Sequence, residues 1–177
     1  MAKVLLLLVH PSLEKSKVNR TLIDFIPTHD DLTFHDLYEE YPNFHINVKR
    51  EQELLADHDI VLIQHPLYWY SVPALFKQWI DSVLEKGWAY GDGGDKLKGK
   101  VWKHIISTGG GEDAYQFGGF HNHPIENFLL PFQRTAELCQ MNFEFPFLIQ
   151  GSFRLSEAAT YEAGLRYKNL LIELLEK

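Results

Sequence analysis

The sequence predicts an α/β domain: five strands alternating with five helices, hence a parallel sheet covered on both faces. Three observations carry that expectation. Val4–Val9 is an unbroken apolar run of strand length, and Asp59–Ile63 and Lys100–Ser107 read as two further buried strands. Between the runs lie segments with helical periodicity, most clearly Ala74, Leu75, Trp79, Ile80, Val83 and Leu84. The loops after the three runs carry the most unusual residues of the chain, and in doubly wound sheets ligands sit at the carboxyl ends of strands.

Each element has a local reason. The first strand ends at His10-Pro11, since proline offers no donor to a central ladder. A polar loop, Ser12–Lys17, leads into a helix from Val18 to Phe25, which stops before Pro27. Leu32–Tyr38 alternates apolar and polar residues and reads as a less buried strand. Glu39–Asn47 is a loop, and Val48–Asp57 a helix with Leu54 and Leu55 facing inward. The helix Val72–Lys86 has Pro73 in its first turn, where a missing N–H costs nothing. Gly87–Gly94 is a glycine-rich loop, and Gly109-Gly110-Gly111 breaks the third buried strand. Pro124–Met141 reads as helical, with Pro131 an interior defect or a boundary. Pro146 confines the strand Phe143–Gln150 to the neighbourhood of an edge, and Glu157–Glu176 is a closing helix. The acidic runs at Glu39-Glu40 and Glu51–Glu53 read as solvated faces. No repeat, linker or low-complexity segment divides the chain, so residues 1–177 are expected to form a single domain.

Composition narrows the function classes. With 177 residues, 45% of them hydrophobic and 14% aromatic, there is ample material for one core. A net charge of −7 argues against a general nucleic-acid binder. One cysteine, Cys139, cannot form an internal disulfide and fits a reducing compartment. Val4–Val9 is much too short to span a bilayer and has no small-residue cleavage site after it. These features lead to the expectation of a cytoplasmic protein.

The three strand-end loops offer complementary chemistry. The first, His10–Asn19, has hydroxyls, lysines and a helix start whose free N–H groups favour an anion. Ser16 and Asn19 add side-chain donors, although an ordinary strand-to-helix connection capped by Ser16 would look the same. Lacking glycine, the loop is neither a dinucleotide turn nor a Walker loop. The second, His65–Ser71, holds Tyr68-Trp69-Tyr70, a ligand wall or a core cluster. The third, Ser107–Gly111, allows close approach of backbone or simply ends a strand. A flat, phosphorylated aromatic ligand such as flavin mononucleotide (FMN) would use all three.

At these residues the chain resembles the flavodoxin-like NAD(P)H:quinone oxidoreductase family. It is similar above all to the short bacterial branch that includes ancillary proteins of glutathione-regulated potassium-efflux systems. The resemblance lies in His10-Pro11 with Ser16 and Asn19, Tyr41-Pro42-x-Phe44-x-Ile46 and Gln64-His65-Pro66-Leu67-Tyr68-Trp69-Tyr70-Ser71-Val72-Pro73. It continues through Gly87-Trp88-Ala89-Tyr90-Gly91 and Thr108-Gly109-Gly110-Gly111-Glu112.

The resemblance implies a flavodoxin-like three-layer sandwich with a five-stranded parallel sheet. It implies that His10, Ser16, Lys17, Val18 and Asn19 surround the flavin phosphate. Pro66, Leu67, Tyr68, Trp69 and Tyr70 would line the ribityl chain and ring, and Ser107, Thr108, Gly109 and Gly110 would reach the pyrimidine edge. Tyr115 and His121 stand at the spacing of a tyrosine–histidine pair that stabilises the charge on the reduced ring, with His123 close by. The larger enzymes of the family bind FAD and carry a further carboxyl-terminal region, so FMN is favoured here while FAD stays open. The implied activity is an NAD(P)H dehydrogenase (quinone), relaying hydride in two steps from NAD(P)H through the flavin to a quinone or similar electrophile. The implied partners are a second copy of the chain and, in a regulatory role, a potassium-efflux transporter that would bring the protein to the inner membrane. An electron-transfer flavodoxin is the third reading.

Overall fold

A computed structural model describes Met1–Lys177. Its five strands are β1 (Val4–Leu8), β2 (Leu32–Asp36), β3 (Ile60–Pro66), β4 (Val101–Ser107) and β5 (Asn142–Ile149). They form one sheet in the order β2-β1-β3-β4-β5, and every pair is parallel. The helices are α1 (Lys17–Ile23), α2 (Leu37–Glu40), α3 (Val48–Asp57), α4 (Ala74–Val83), α5 (Ile125–Leu138) and α6 (Glu157–Leu175).

Because side chains alternate along a strand, the buried strands feed two cores. Val4, Leu6, Ile60 and Leu62 pack under α1 and α6, with Leu22, Tyr167 and Leu171. Leu5, Leu7, Val61 and Ile63 pack on the opposite face against Leu55 of α3, Phe76 and Trp79 of α4, and Phe132 of α5. Helices on both faces leave β1 fully buried, which is why its run is apolar without alternation. At the sheet edge β2 is only partly buried, which explains its alternation.

Four local details differ from or complete the sequence expectation. The strand expected over Leu32–Tyr38 stops at Asp36, whose carboxylate accepts the N–H of Tyr38 (3.0 Å) and Glu39 and so starts α2. Pro131 sits inside a continuous α5, on its exposed side, where water can satisfy the carbonyl that proline leaves without a donor. At the edge strand, Phe145 and Pro146 oppose the single residue His104, a bulge that absorbs the missing donor of Pro146.

The fourth detail corrects the expectation that Glu51 lies on a solvated face. Glu51 is fully buried and accepts from His35 Nε2 (2.9 Å), the Tyr41 hydroxyl (2.5 Å) and Trp79 Nε1 (2.8 Å). Burial pushes its carboxyl pKa up, but these three donors outweigh it and hold the pKa below the usual value. The carboxylate thereby ties α3 to β2, to the loop after α2 and to α4.

Candidate functional site

A cavity of about 810 Å³ opens at the carboxyl ends of β1, β3, β4 and β5. Its polar end is built by the connection from β1 to α1. His10, at the strand end, accepts the N–H of Ser12 on Nδ1 (3.1 Å), so the imidazole proton lies on Nε2 when the ring is neutral. Burial lowers the His10 pKa, opposed by the charge of Glu14. Ser16 caps α1, its Oγ accepting from the N–H of Asn19 (3.2 Å). Lys17 and Val18 follow at the start of the helix, where the amides have no carbonyl one turn earlier to bond. Ser12 and Lys15 complete this end of the wall.

The aromatic end comes from the connection between β3 and α4. Tyr68 and Ser71 exchange both main-chain hydrogen bonds (3.0 and 2.9 Å), closing a two-residue turn over Trp69 and Tyr70. Both turn residues have positive φ, +50° and +63°, a conformation that favours glycine or asparagine. Two bulky aromatic residues in such a turn mark stored strain, which concentrates at functional sites. The turn leaves the Trp69 indole 93% exposed at the cavity mouth.

The third wall is the connection after β4. A side chain on Gly109 would come within 2.5 Å of Phe153, and one on Gly110 within 3.1 Å of both Tyr115 and His121. Glycine is therefore what lets these rings close over the strand end. Tyr115 and His121 stack with centroids 4.3 Å apart, and His121 Nδ1 lies 3.4 Å from the Tyr70 hydroxyl. Burial raises the Tyr115 pKa, so the phenol keeps its proton.

Every residue singled out for the site from the sequence lines this cavity except Asn19 and Thr108. Asn19 is buried behind the wall, and its amide donates to Ser107 Oγ (2.9 Å). Thr108 is also buried, and its hydroxyl donates to the carbonyl of Gly110 (2.7 Å). Of the two histidines after the glycines, His121 is on the cavity wall, while His123 lies 3.3 Å from Asn127 Nδ2. Ser12 and Lys15 enter the sequence expectation only as a hydroxyl and a lysine of the polar loop, and Ser152 and Phe153 do not enter it. Ser152 and Phe153 follow β5, and the strand-end rule would have found them had it been applied to the edge strand as well.

Comparison with known proteins agrees with this architecture. A family model described as "flavodoxin-like fold" matches residues 2–171. A glutathione-regulated potassium-efflux system ancillary protein KefG of Yersinia pseudotuberculosis is 46% identical over 147 residues, covering 83% of this chain and 81% of that protein. The general stress protein 14 of Treponema denticola, solved in complex with FMN, superposes with a TM-score of 0.90 at 36% identity, covering 97% of this chain and 99% of that one. An NADPH-quinone reductase from P. pentosaceus superposes with a TM-score of 0.86 at 29% identity, covering 96% and 97%. With its parallel sheet in the order β2-β1-β3-β4-β5 and a family match over nearly its whole length, the chain belongs to the flavodoxin-like family.

Proposed function

We propose that the chain is an FMN-dependent NAD(P)H:quinone oxidoreductase. The observation that carries this reading is one cavity with a basic, hydroxyl-bearing end and an aromatic end, joined along open glycine backbone. FMN has a phosphate at one end and a flat tricyclic ring at the other, and the residues present fit it. Lys15, Lys17, Ser12 and Ser16 match the phosphate in charge and in donors. Tyr68, Trp69 and Tyr70 offer faces for the ring, and Gly109 and Gly110 keep its polar edge free of side chains. The likenesses to an FMN-bound protein and to an NADPH-quinone reductase support the reading.

A bound flavin would supply the redox chemistry, a two-electron exchange between NAD(P)H and the quinone. The chain's own part is to bind, orient and neutralise. Hydride transfer brings negative charge, which preorganised donors stabilise. The Tyr115 hydroxyl would be such a donor, and the His121 imidazole stacked on it offers ring nitrogens for proton transfer beside it. The exposed aromatic mouth gives a flat co-substrate a surface to stack on.

Acid release of the ligand from purified protein, followed by chromatography and an NAD(P)H:quinone assay, tests the reading. FMN and turnover are expected. FAD alone, or no affinity for any flavin, sinks it.

The likeness to KefG favours a second reading, an ancillary subunit of a potassium-efflux transporter. No helix here is long and apolar enough to cross a membrane, so the transporter would be a separate chain. Glutathione-gated potassium efflux, measured in cells with and without this protein, should differ; equal rates would remove this role.

A further inference from the structure

Behind the cavity, on the α1/α6 face of β3, a line of buried hydrogen bonds runs from α6 to the ligand walls. The Tyr167 hydroxyl donates to Gln64 Oε1 (2.8 Å). Gln64 Nε2 donates to the main-chain carbonyl of Asn19 (3.3 Å) and to Asn19 Oδ1 (3.4 Å). Asn19 Nδ2 donates to Ser107 Oγ (2.9 Å) and to Ser16 Oγ (3.3 Å). Tyr167, Gln64 and Asn19 are all buried, so water does not compete.

The direction of this line is set by chemistry. A main-chain carbonyl only accepts, so Gln64 must turn its NH2 toward Asn19. Its oxygen then faces Tyr167, whose hydroxyl must donate. With the Gln64 NH2 facing Asn19 Oδ1, Asn19 must turn its own NH2 toward the two serines. The main-chain N–H of Asn19 also donates to Ser16 Oγ (3.2 Å). Both serine oxygens therefore receive hydrogen bonds, and neither hydroxyl donates to a protein acceptor. Both serines line the cavity, one at its basic end and one beside the glycine wall.

We infer that Tyr167 and Gln64 are positioning residues that, through Asn19, occupy serine lone pairs behind the wall and leave the hydroxyl protons of Ser16 and Ser107 free for the ligand. The inference rests on the FMN reading and deepens it. The site is selective for a ligand with an acceptor oxygen at the Ser16 end and a ring carbonyl or unprotonated ring nitrogen at the Ser107 end. One amide, that of Asn19, orients both hydroxyls. Asn19 thus contributes to binding without touching the ligand. A purely structural role, in which Tyr167 only fastens α6 to the sheet, makes a different prediction: stability falls and affinity does not.

The test is titration of flavin-stripped protein with FMN and with riboflavin, read by flavin fluorescence. Tyr167→Phe keeps the ring and removes one proton. It is expected to weaken FMN about fivefold, the worth of roughly one neutral hydrogen bond. In a Ser16→Ala, Ser107→Ala background the same substitution should cost less than about twofold, because the groups it acts through are gone. An unchanged affinity for Tyr167→Phe, or the same loss in both backgrounds, overturns the inference. Asn19→Asp is the second variant. Its carboxylate draws the Ser107 proton away from the cavity, and riboflavin, which has no phosphate for the new charge to repel, reports that loss alone. Riboflavin affinity equal to that of the parent protein also overturns the inference. Wild-type protein that binds neither flavin overturns the FMN reading and the inference with it. Wild-type binding with unaffected variants overturns the inference alone.

Discussion

Tyr115 and His121 lie over the end of β4 because Gly110 has no side chain to hold them off. The pair has the composition of a charge-stabilising relay: a phenol that burial keeps protonated, and an imidazole stacked on it. Tyr115→Phe preserves shape and removes only the donor. A fully preorganised donor is worth about 10²–10³ in rate, and a half-exposed one less, so a loss of about tenfold is expected. Stopped-flow reduction by saturating NAD(P)H should show it with FMN affinity unchanged. His121→Gln should slow the same step. If both variants reduce at the parent rate, the pair only lines the pocket and attention moves to His123.

At the scale of an element, the turn from Tyr68 to Ser71 departs most from local preference. Trp69 and Tyr70 occupy conformations suited to glycine, and the Trp69 side chain is almost wholly in water. It contributes little burial energy against a backbone cost of about 1–3 kcal/mol. Trp69→Gly should therefore stabilise the ligand-free protein by about 1 kcal/mol, raising Tm by about 2–4 °C, while weakening flavin or quinone binding. A lowered Tm, or binding unaffected by the substitution, would contradict the view that strain is kept here for ligand contact. The α3 helix makes the opposite point, because Glu51 serves stability from a position that looks like surface. Its three donors come from β2, the loop after α2, and α4.

At the scale of the whole molecule, the most exposed aromatic side chains include Trp69 and Phe153 on the cavity wall and Phe120 against His121. Trp69, Phe117, Phe120 and Phe153 are open to solvent, whereas Trp79 is buried and Trp88 and Tyr90 are half-buried against the chain's own core. An apolar rim of this kind is what a second copy would cover. We expect light scattering at micromolar concentration to give twice 20.6 kDa; a monomer mass with full activity would contradict the dimer.

A second whole-molecule property is stability against pH. His65 and His104 are fully buried, joined Nε2 to Nδ1 at 2.8 Å, and bonded onward to the Pro66 carbonyl and from Trp102 Nε1. Burial pushes the His65 pKa down to about 4, and burial together with His65 holds that of His104 well below the ordinary value. The unfolded chain takes up these protons near pH 6.5 and the folded chain does not. Their contribution is complete above pH 6.5 and is lost as pH falls toward 4, by about 3 kcal/mol for His65 alone. The urea midpoint should therefore drop between pH 7 and pH 5, before most carboxylates titrate. A flat midpoint over that range would show that these imidazoles charge freely in the folded state.

The sequence by itself determined the buried strands, the amphipathic α4 and the edge position of β5. Those follow from spacing and from proline chemistry within a few residues. It also determined most of the cavity wall, because strand ends in a parallel sheet must converge and the unusual residues lie there. Only the tertiary structure decided that Glu51 is buried and that Asn19 and Thr108 turn behind the wall. The reason is the same in each case. Whether a polar side chain faces water, a ligand or the core depends on which donors and acceptors meet it. For Glu51 those are His35, Tyr41 and Trp79, and for Asn19 they are Gln64 and Ser107. These partners are distant in sequence, and only folding brings them together.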